Sequence, residues 1–354
     1  MGTLITPSSR RQFLTLLGLS AVAVSCGSGG GGAAKDQTKT LRYQGWAGTV
    51  ILPELAEELG FLEDVKLKWV GNTISGPQDI QSAATGQVDF GGAFNGAVVK
   101  LAARKAPITS VISYYGVDKA AYNGFYVLKD GPVHSARDLI GKKVGMNTLG
   151  AHSEAMLDIY LQRHGLSRAD IKKVEPLVVP PVNTEQSLRQ KQIQVGVLGD
   201  ILRDKALQTG GLRPLFTDYQ LLGDFSAGTY VVNDRFLRAN PGTARRFVTG
   251  VARAIEWARA TPRDEVIARQ IEIVKKRGRN EDMAPLKYWK SFGVAETAGR
   301  ITDKEFQVWI DWLSERGDIE KGQVKASDLY TNEFNAYSRK DKPSAAETPS
   351  KSGS

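Results

Sequence analysis

The sequence predicts an α/β protein with largely parallel sheets, and three observations lead there. Strand-like apolar segments alternate with helical ones from Leu41 onward. Glycines stand where the helical runs stop, at Gly60, Gly86 and Gly165. The chain has 354 residues, 41% hydrophobic and 24% charged, enough for two apolar cores.

The elements follow in order. Leu41-Arg42-Tyr43 reads as a short strand, Gly45-Trp46-Ala47-Gly48 as a turn, and Val50 to Leu59 as a helix. Val65 to Val70 alternates as a second strand. Gly76-Pro77 opens a helix to Thr85, because proline is pre-organised for a first helical turn, and Val88 to Ala93 is the third strand. Gly124 to Leu128, Val144 to Met146, Val174 to Val179 and Val195 to Leu198 are further strands. Between them lie a short helix at Ser135–Leu139 and longer ones at Ser153–His164 and Thr184–Lys191. Thr229 to Val232 is a returning strand. Pro241–Ala260, Arg263–Arg277 and Thr302–Arg316 then have helical period and many charges. The tail after Tyr337 is polar and expected to be disordered.

The N-terminus carries an address. Ser9-Arg10-Arg11-Gln12-Phe13-Leu14 leads into an uncharged run from Phe13 to Val24, shorter than the roughly 20 apolar residues that span a bilayer. A cleaved export signal of twin-arginine type is expected. Ala23-Val24-Ser25-Cys26 resembles a lipobox, with Ala23 in place of the usual leucine, and Cys26 is the sole cysteine. It precedes the flexible run Gly27-Ser28-Gly29-Gly30-Gly31-Gly32, suited to tethering a domain off a membrane, so Cys26 is the expected lipidation site.

The net charge is +9, but both signs are interspersed and no arginine-rich arm or zinc-finger spacing is present, so a nucleic-acid partner is not expected. The three histidines are scattered, there is no Gly-x-Ser-x-Gly elbow, and no His/Cys/acid cluster has metal spacing. Neither catalytic residues, metal nor cofactor are expected, and the chain is not read as an enzyme.

Four stretches resemble the periplasmic nitrate, sulfonate, taurine and thiamine-precursor binding proteins, above all the aliphatic sulfonate binders. They are Gly76-Pro77 through Gly86 with Val88-Asp89-Phe90-Gly91; Gly124 through Pro132 with Leu139 to Gly145; Asn147-Thr148-Leu149-Gly150-Ala151-His152-Ser153; and Tyr230 to Leu237 with Asn240-Pro241. Together they cover roughly Leu41 to Ala260. The resemblance implies a two-lobed periplasmic-binding-protein fold of type II, with a two-strand hinge near Phe125–Leu128 and Thr229–Val232. It also implies a small solute held between lobes, an ABC permease with its ATPase as partners, and a monomer. The organisation it implies is 1–25 export signal, 26–40 anchor and linker, 41–126 plus 233–335 first lobe, 127–232 second lobe, and 336–354 tail. One departure is that Val197-Leu198-Gly199-Asp200-Ile201 lacks the family's tryptophan and proline, leaving Asp200 as a polar contact.

Ligands in such folds collect beyond strand C-termini, where helix starts offer unpaired N–H groups to anions. Ser75-Gly76, Asn95-Gly96 and Thr148 with Gly150-Ala151-His152-Ser153 combine small residues with hydrogen-bonding side chains at such places. Taken one at a time, each is more often an ordinary helix cap than a ligand contact, while His152 is readable either way. Trp46, with Gly48 and Thr49 beside it, is the expected flat wall; Tyr114, Tyr115 and Tyr122 are walls or core, and the other tryptophans are read as packing. The expected ligand is an aliphatic or aryl sulfonate, taurine or a sulfate ester. A thiamine-precursor pyrimidine, nitrate or an aromatic acid is the alternative, and a sensory lipoprotein or an enzyme on the related fold are further ones.

Overall fold

The computed structural model describes residues 37–73 and 75–338, with the side chain of Asp200 outside that description. The export signal, Cys26 and the tail from residue 339 therefore lie outside the described residues.

The first run of elements is β1 (Thr40–Gly45), α1 (Leu52–Glu58), β2 (Lys66–Asn72), α2 (Gly76–Ala84), β3 (Phe90–Phe94), α3 (Asn95–Ala103) and β4 (Ile108–Val117). The second is β5 (Asn123–Leu128), β6 (Lys143–Met146), α4 (His152–Arg163), α5 (Arg168–Ile171), β7 (Glu175–Val178), α6 (Pro181–Arg189), β8 (Val195–Gly199), α7 (Asp200–Thr209), β9 (Leu212–Thr217) and α8 (Asp218–Leu222). The chain then returns through β10 (Phe225–Asn233), α9 (Asp234–Ala239), α10 (Pro241–Ala260), α11 (Arg263–Arg277) and α12 (Lys304–Arg316).

The expectation of largely parallel sheets is corrected. One sheet has the order β3-β10-β4 with both pairings antiparallel, and beside it lies the parallel pair β1-β2. The other sheet, β7-β6-β8-β5-β9, is parallel around β6 and antiparallel around β5. The antiparallel strands are those that carry the chain from one sheet to the other and back. Apolar runs buried on both faces look alike in either orientation, so the sequence pattern does not report direction.

The hinge also moves. β5 lies wholly in the second sheet and β10 wholly in the first, so the chain changes sheets at 118–122 and 218–224, not within Phe125–Leu128 or Thr229–Val232. The two passages are tied together, because the carboxylate of Asp218 accepts the N–H of Asn123 at 3.0 Å and its side-chain amide at 3.0 Å. Arg203 fastens the first passage: its guanidinium donates to the carbonyls of Tyr122 (2.7 Å) and Ala120 (2.9 Å) and lies 3.9 Å over the Tyr122 ring.

The expected C-terminal helices form and pack as amphipathic helices should. α10 buries Phe247, Val248, Val251 and Ile255 along one face, and each such side chain contributes about 1.5–3 kcal/mol. α12 buries Phe306, Trp309, Ile310 and Leu313 and stops at Gly317 in the left-handed conformation (φ 79°). It reaches both halves: Trp309 meets Phe94 of β3, while the indole N–H of Trp312 donates to Asp158 of α4 at 3.1 Å.

Candidate functional site

Around the C-terminal ends of the strands, the structure sorts the expected residues into those that face outward and those that are spent on packing. Gly48 adopts φ 70° in the turn after β1, where its N–H donates to Glu281 at 3.0 Å. The adjacent Thr49 is exposed, and its carbonyl accepts from Arg277 at 2.8 Å. Trp46 is half-buried against the core formed by α1 and α10. Ser75 accepts the N–H of Gln78 as the cap of α2, and a Cβ on Gly76 would come within 3.0 Å of Ala93. Close helix–strand contact explains that glycine.

At the start of α3 the structure leaves little room for a ligand. Asn95 is fully buried and its side-chain amide donates to the carbonyl of Glu305 at 3.2 Å, while the Phe94 ring lies 2.4 Å from where a Gly96 Cβ would stand. His152 is likewise committed. Its Nε2 is 3.0 Å from Asp218, Phe94 meets its ring edge-on, and Phe225 stacks on it at 5.7 Å. Ser153 is buried beside it, Thr148 is half-buried, and Gly150 (φ 69°) donates its N–H to Glu154 at 2.6 Å. Asp200 begins α7. Neither α3 nor α4 has a side-chain cap, and Asn95 Oδ1 and His152 Nδ1 are buried without a hydrogen-bond partner.

Other residues, unmarked in the sequence, are brought to the strand ends of the first half. Asp79 sits in the first turn of α2; one carboxylate oxygen accepts the N–H of Gly92 at 2.7 Å, and the other is buried without a partner. Burial pushes its pKa up to about 7, against the lowering effect of that N–H. Beside it Tyr114 stacks on Tyr230 at 4.1 Å, and the Tyr230 hydroxyl is also buried without a partner. Gly92 permits this cluster, since a Cβ there would stand 2.8 Å from the Tyr114 ring. Glu305 forms a second buried acid: it accepts from Ser113 at 2.7 Å, and burial raises its pKa to about 8.

At the end of β1, the Tyr43 hydroxyl donates to Glu54 at 2.6 Å, and Arg277 pairs with Glu54 (2.6 Å) and Glu281 (3.1 Å). Arg279 lies over the Trp69 ring at 4.0 Å. Trp69, expected as packing, is instead 40% exposed. An acid in a first helical turn and an aromatic in an edge strand were the only local signals; Arg279 is 200 residues away from the loops it joins.

Among the described residues, most of the large exposed apolar side chains stand at or just beyond strand ends. Trp69 and Val70 lie near the end of β2, Leu149 follows β6, Val178 ends β7 and Val182 lies in the first turn of α6; Leu207 is elsewhere, on α7. Two cavities lie apart from them. One of about 280 Å³ is lined by Arg259, Arg263, Trp289 and Phe292, the other of about 680 Å³ by Asp204, Leu207, Tyr288 and Lys290. Neither is lined by an expected site residue.

Comparison with known proteins places this geometry. The NMT1/THI5-like family model matches residues 54–265. A 4-amino-5-hydroxymethyl-2-methylpyrimidine phosphate synthase of Saccharomyces cerevisiae is 23% identical over 296 residues, covering 80% of this chain and 82% of the yeast protein. The periplasmic aliphatic sulphonate binding protein of Escherichia coli superposes with a TM-score of 0.64 at 18% identity, over 90% of this chain and 99% of that one. The alkanesulfonate-binding protein of Xanthomonas axonopodis pv. citri, bound to MOPS, gives 0.63 at 19% identity, over 84% and 99%. The fold is that of the two-lobed periplasmic binding proteins.

Proposed function

Because the chain belongs to the NMT1/THI5-like family, we propose that it is the solute-binding component of an ABC importer, capturing a small organosulfur anion between its two halves and releasing it unchanged. In this reading it is exported, held at the membrane through an acylated Cys26, and works as a monomer that a permease and its ATPase unload. Closure then needs only a higher affinity of the ligand for the closed arrangement.

The observation that carries the reading is that exposed apolar side chains stand at or just beyond strand C-termini in both halves, Trp69 and Val70 on β2 and Leu149, Val178 and Val182 around β6 and β7. Strand ends are where α/β folds take ligands, and apolar groups on both edges suit a solute with an alkyl or aryl body. The sulfonate-binding proteins with the same fold support the choice of headgroup.

A second reading has its own support. The partnerless oxygen of Asp79 and hydroxyl of Tyr230, next to the Tyr114 ring, suit a flat heterocycle carrying hydrogen-bond donors, such as an aminopyrimidine. Calorimetric titration of the mature protein with butanesulfonate, benzenesulfonate, taurine and 4-amino-5-hydroxymethyl-2-methylpyrimidine separates the two. Binding of a sulfonate is expected. Binding of the pyrimidine alone would replace the first reading by the second, and consumption of any of them would replace capture by catalysis.

A further inference from the structure

We propose that Arg279 is the residue that selects an acidic headgroup, receiving the ligand's oxyanion at the mouth of the first half. The proposal rests on the solute-capture reading and deepens it by naming the contact.

Four features converge on this side chain. First, the chain is bent to deliver it: α11 ends at Arg277, Gly278 is left-handed (φ 62°), and Asn280 is left-handed as well (φ 54°). Arg279 lies between these two reversals, so its position is set by backbone geometry unusual for a non-glycine residue.

Second, its guanidinium is held flat. It lies 4.0 Å over the Trp69 indole, whose own N–H is fixed by donation to Asn72 at 3.1 Å, and one Nη reaches the Tyr43 hydroxyl at 3.4 Å. Stacking of this kind orients the donor fork without consuming its in-plane N–H groups.

Third, the neighbouring acids are already neutralised. Glu54 and Glu281 both pair with Arg277, at 2.6 and 3.1 Å, and Glu54 also accepts from Tyr43. No carboxylate of the described residues lies within ion-pair distance of Arg279; Glu54 acts on it only at longer range.

Fourth, Nη1 is buried and has no hydrogen-bond partner. A buried charged donor left unpaired is unfavourable, and a ligand oxygen relieves it. Gly45 packs against it, since a Cβ there would stand 3.4 Å from Nη1 and 3.5 Å from the Trp69 ring, so an oxyanion reaches Nη1 through a small opening of this contact. Trp69 is also among the exposed apolar groups of the rim, so one pair of side chains presents a cation for the headgroup and an indole for the body of the same ligand.

The test is calorimetric titration of wild type, Arg279→Met and Arg279→Lys with butanesulfonate, benzenesulfonate, benzoate and sulfate, with far-ultraviolet dichroism of each variant as the folding control. Losing a charge-assisted hydrogen bond predicts about 30-fold weaker binding of the preferred oxyanion by Arg279→Met. Arg279→Lys, which keeps the charge but not the fork, is expected to lose about fivefold and carries the test if the methionine variant does not fold. Wild-type binding of one of these anions with both variants within about twofold of it would overturn the role of Arg279 and leave the capture reading standing. Failure of the wild type to bind any of them would overturn both.

Discussion

The strand ends of the two halves are built from different chemistry. Those of the first sheet collect ionisable and phenolic groups, Tyr43 with Glu54 and Arg277, then Asp79 with Tyr114 and Tyr230, and Arg279 on Trp69. Those of the second end in small and apolar residues, Leu149 with Gly150 after β6 and Val178-Val179-Pro180-Pro181-Val182 after β7. Burying charge requires partners on several sides, which the first half obtains from α1, α2 and the segment after α11. The second half packs α6 close against its sheet at Gly196, where a Cβ would come within 2.9 Å of Thr184. On the proposed capture reading, the contrast fits polar recognition by the first half and apolar cover by the second.

The comparison breaks most sharply where the halves join. Asp218 is fully buried and holds His152, Asn123 and the N–H of Tyr219. Asp218→Ala leaves these donors unpaired at the crossover, and a loss of about 3–5 kcal/mol in denaturant unfolding is expected. Next in size is a pH effect confined to the first half. Asp79 has its folded pKa raised to about 7, so the folded state keeps a proton that the unfolded chain releases above about pH 4. Its stabilising share is complete below that pH and is lost as pH rises through about 7, on the order of 4 kcal/mol. Asp79→Asn cannot titrate, so the difference between its stability curve and the wild type's, followed by thermal melting from pH 4 to 8, should slope across this window; parallel curves would show that Asp79 is ionised throughout.

Gly92→Ala tests whether the tyrosine cluster tolerates crowding. Its Cβ would meet Tyr114 at 2.8 Å and Tyr230 at 2.9 Å, which is expected to cost about 1–3 kcal/mol and to weaken ligand binding in parallel. The smallest effect belongs to the second half. Val182 is 75% exposed, so Val182→Ser should change stability by no more than about 0.5 kcal/mol while reducing affinity for an aryl sulfonate more than for sulfate. Equal affinity for both ligands in this variant would remove the apolar cover from the second half.

Local patterns carried much of the architecture. The C-terminal helices, the proline-opened helix after Gly76 and the strands at β5, β6 and β8 lie where apolar period and glycine stops put them. Composition alone also showed that the chain has apolar residues enough for more than one core, and the first residues led to the expectation of a tether, which lies outside the described residues. Strand direction, the passages at 118–122 and 218–224, and the inward turning of Asn95 and His152 were decided only by tertiary structure. So was the meeting of Arg279 with Trp69 and Gly45. A cap and a ligand contact have the same local sequence, and which one a residue becomes depends on the partner that distant folding brings against it: Ser75 caps α2 through Gln78, whereas His152 is drawn to Asp218 and Asn95 to the carbonyl of Glu305.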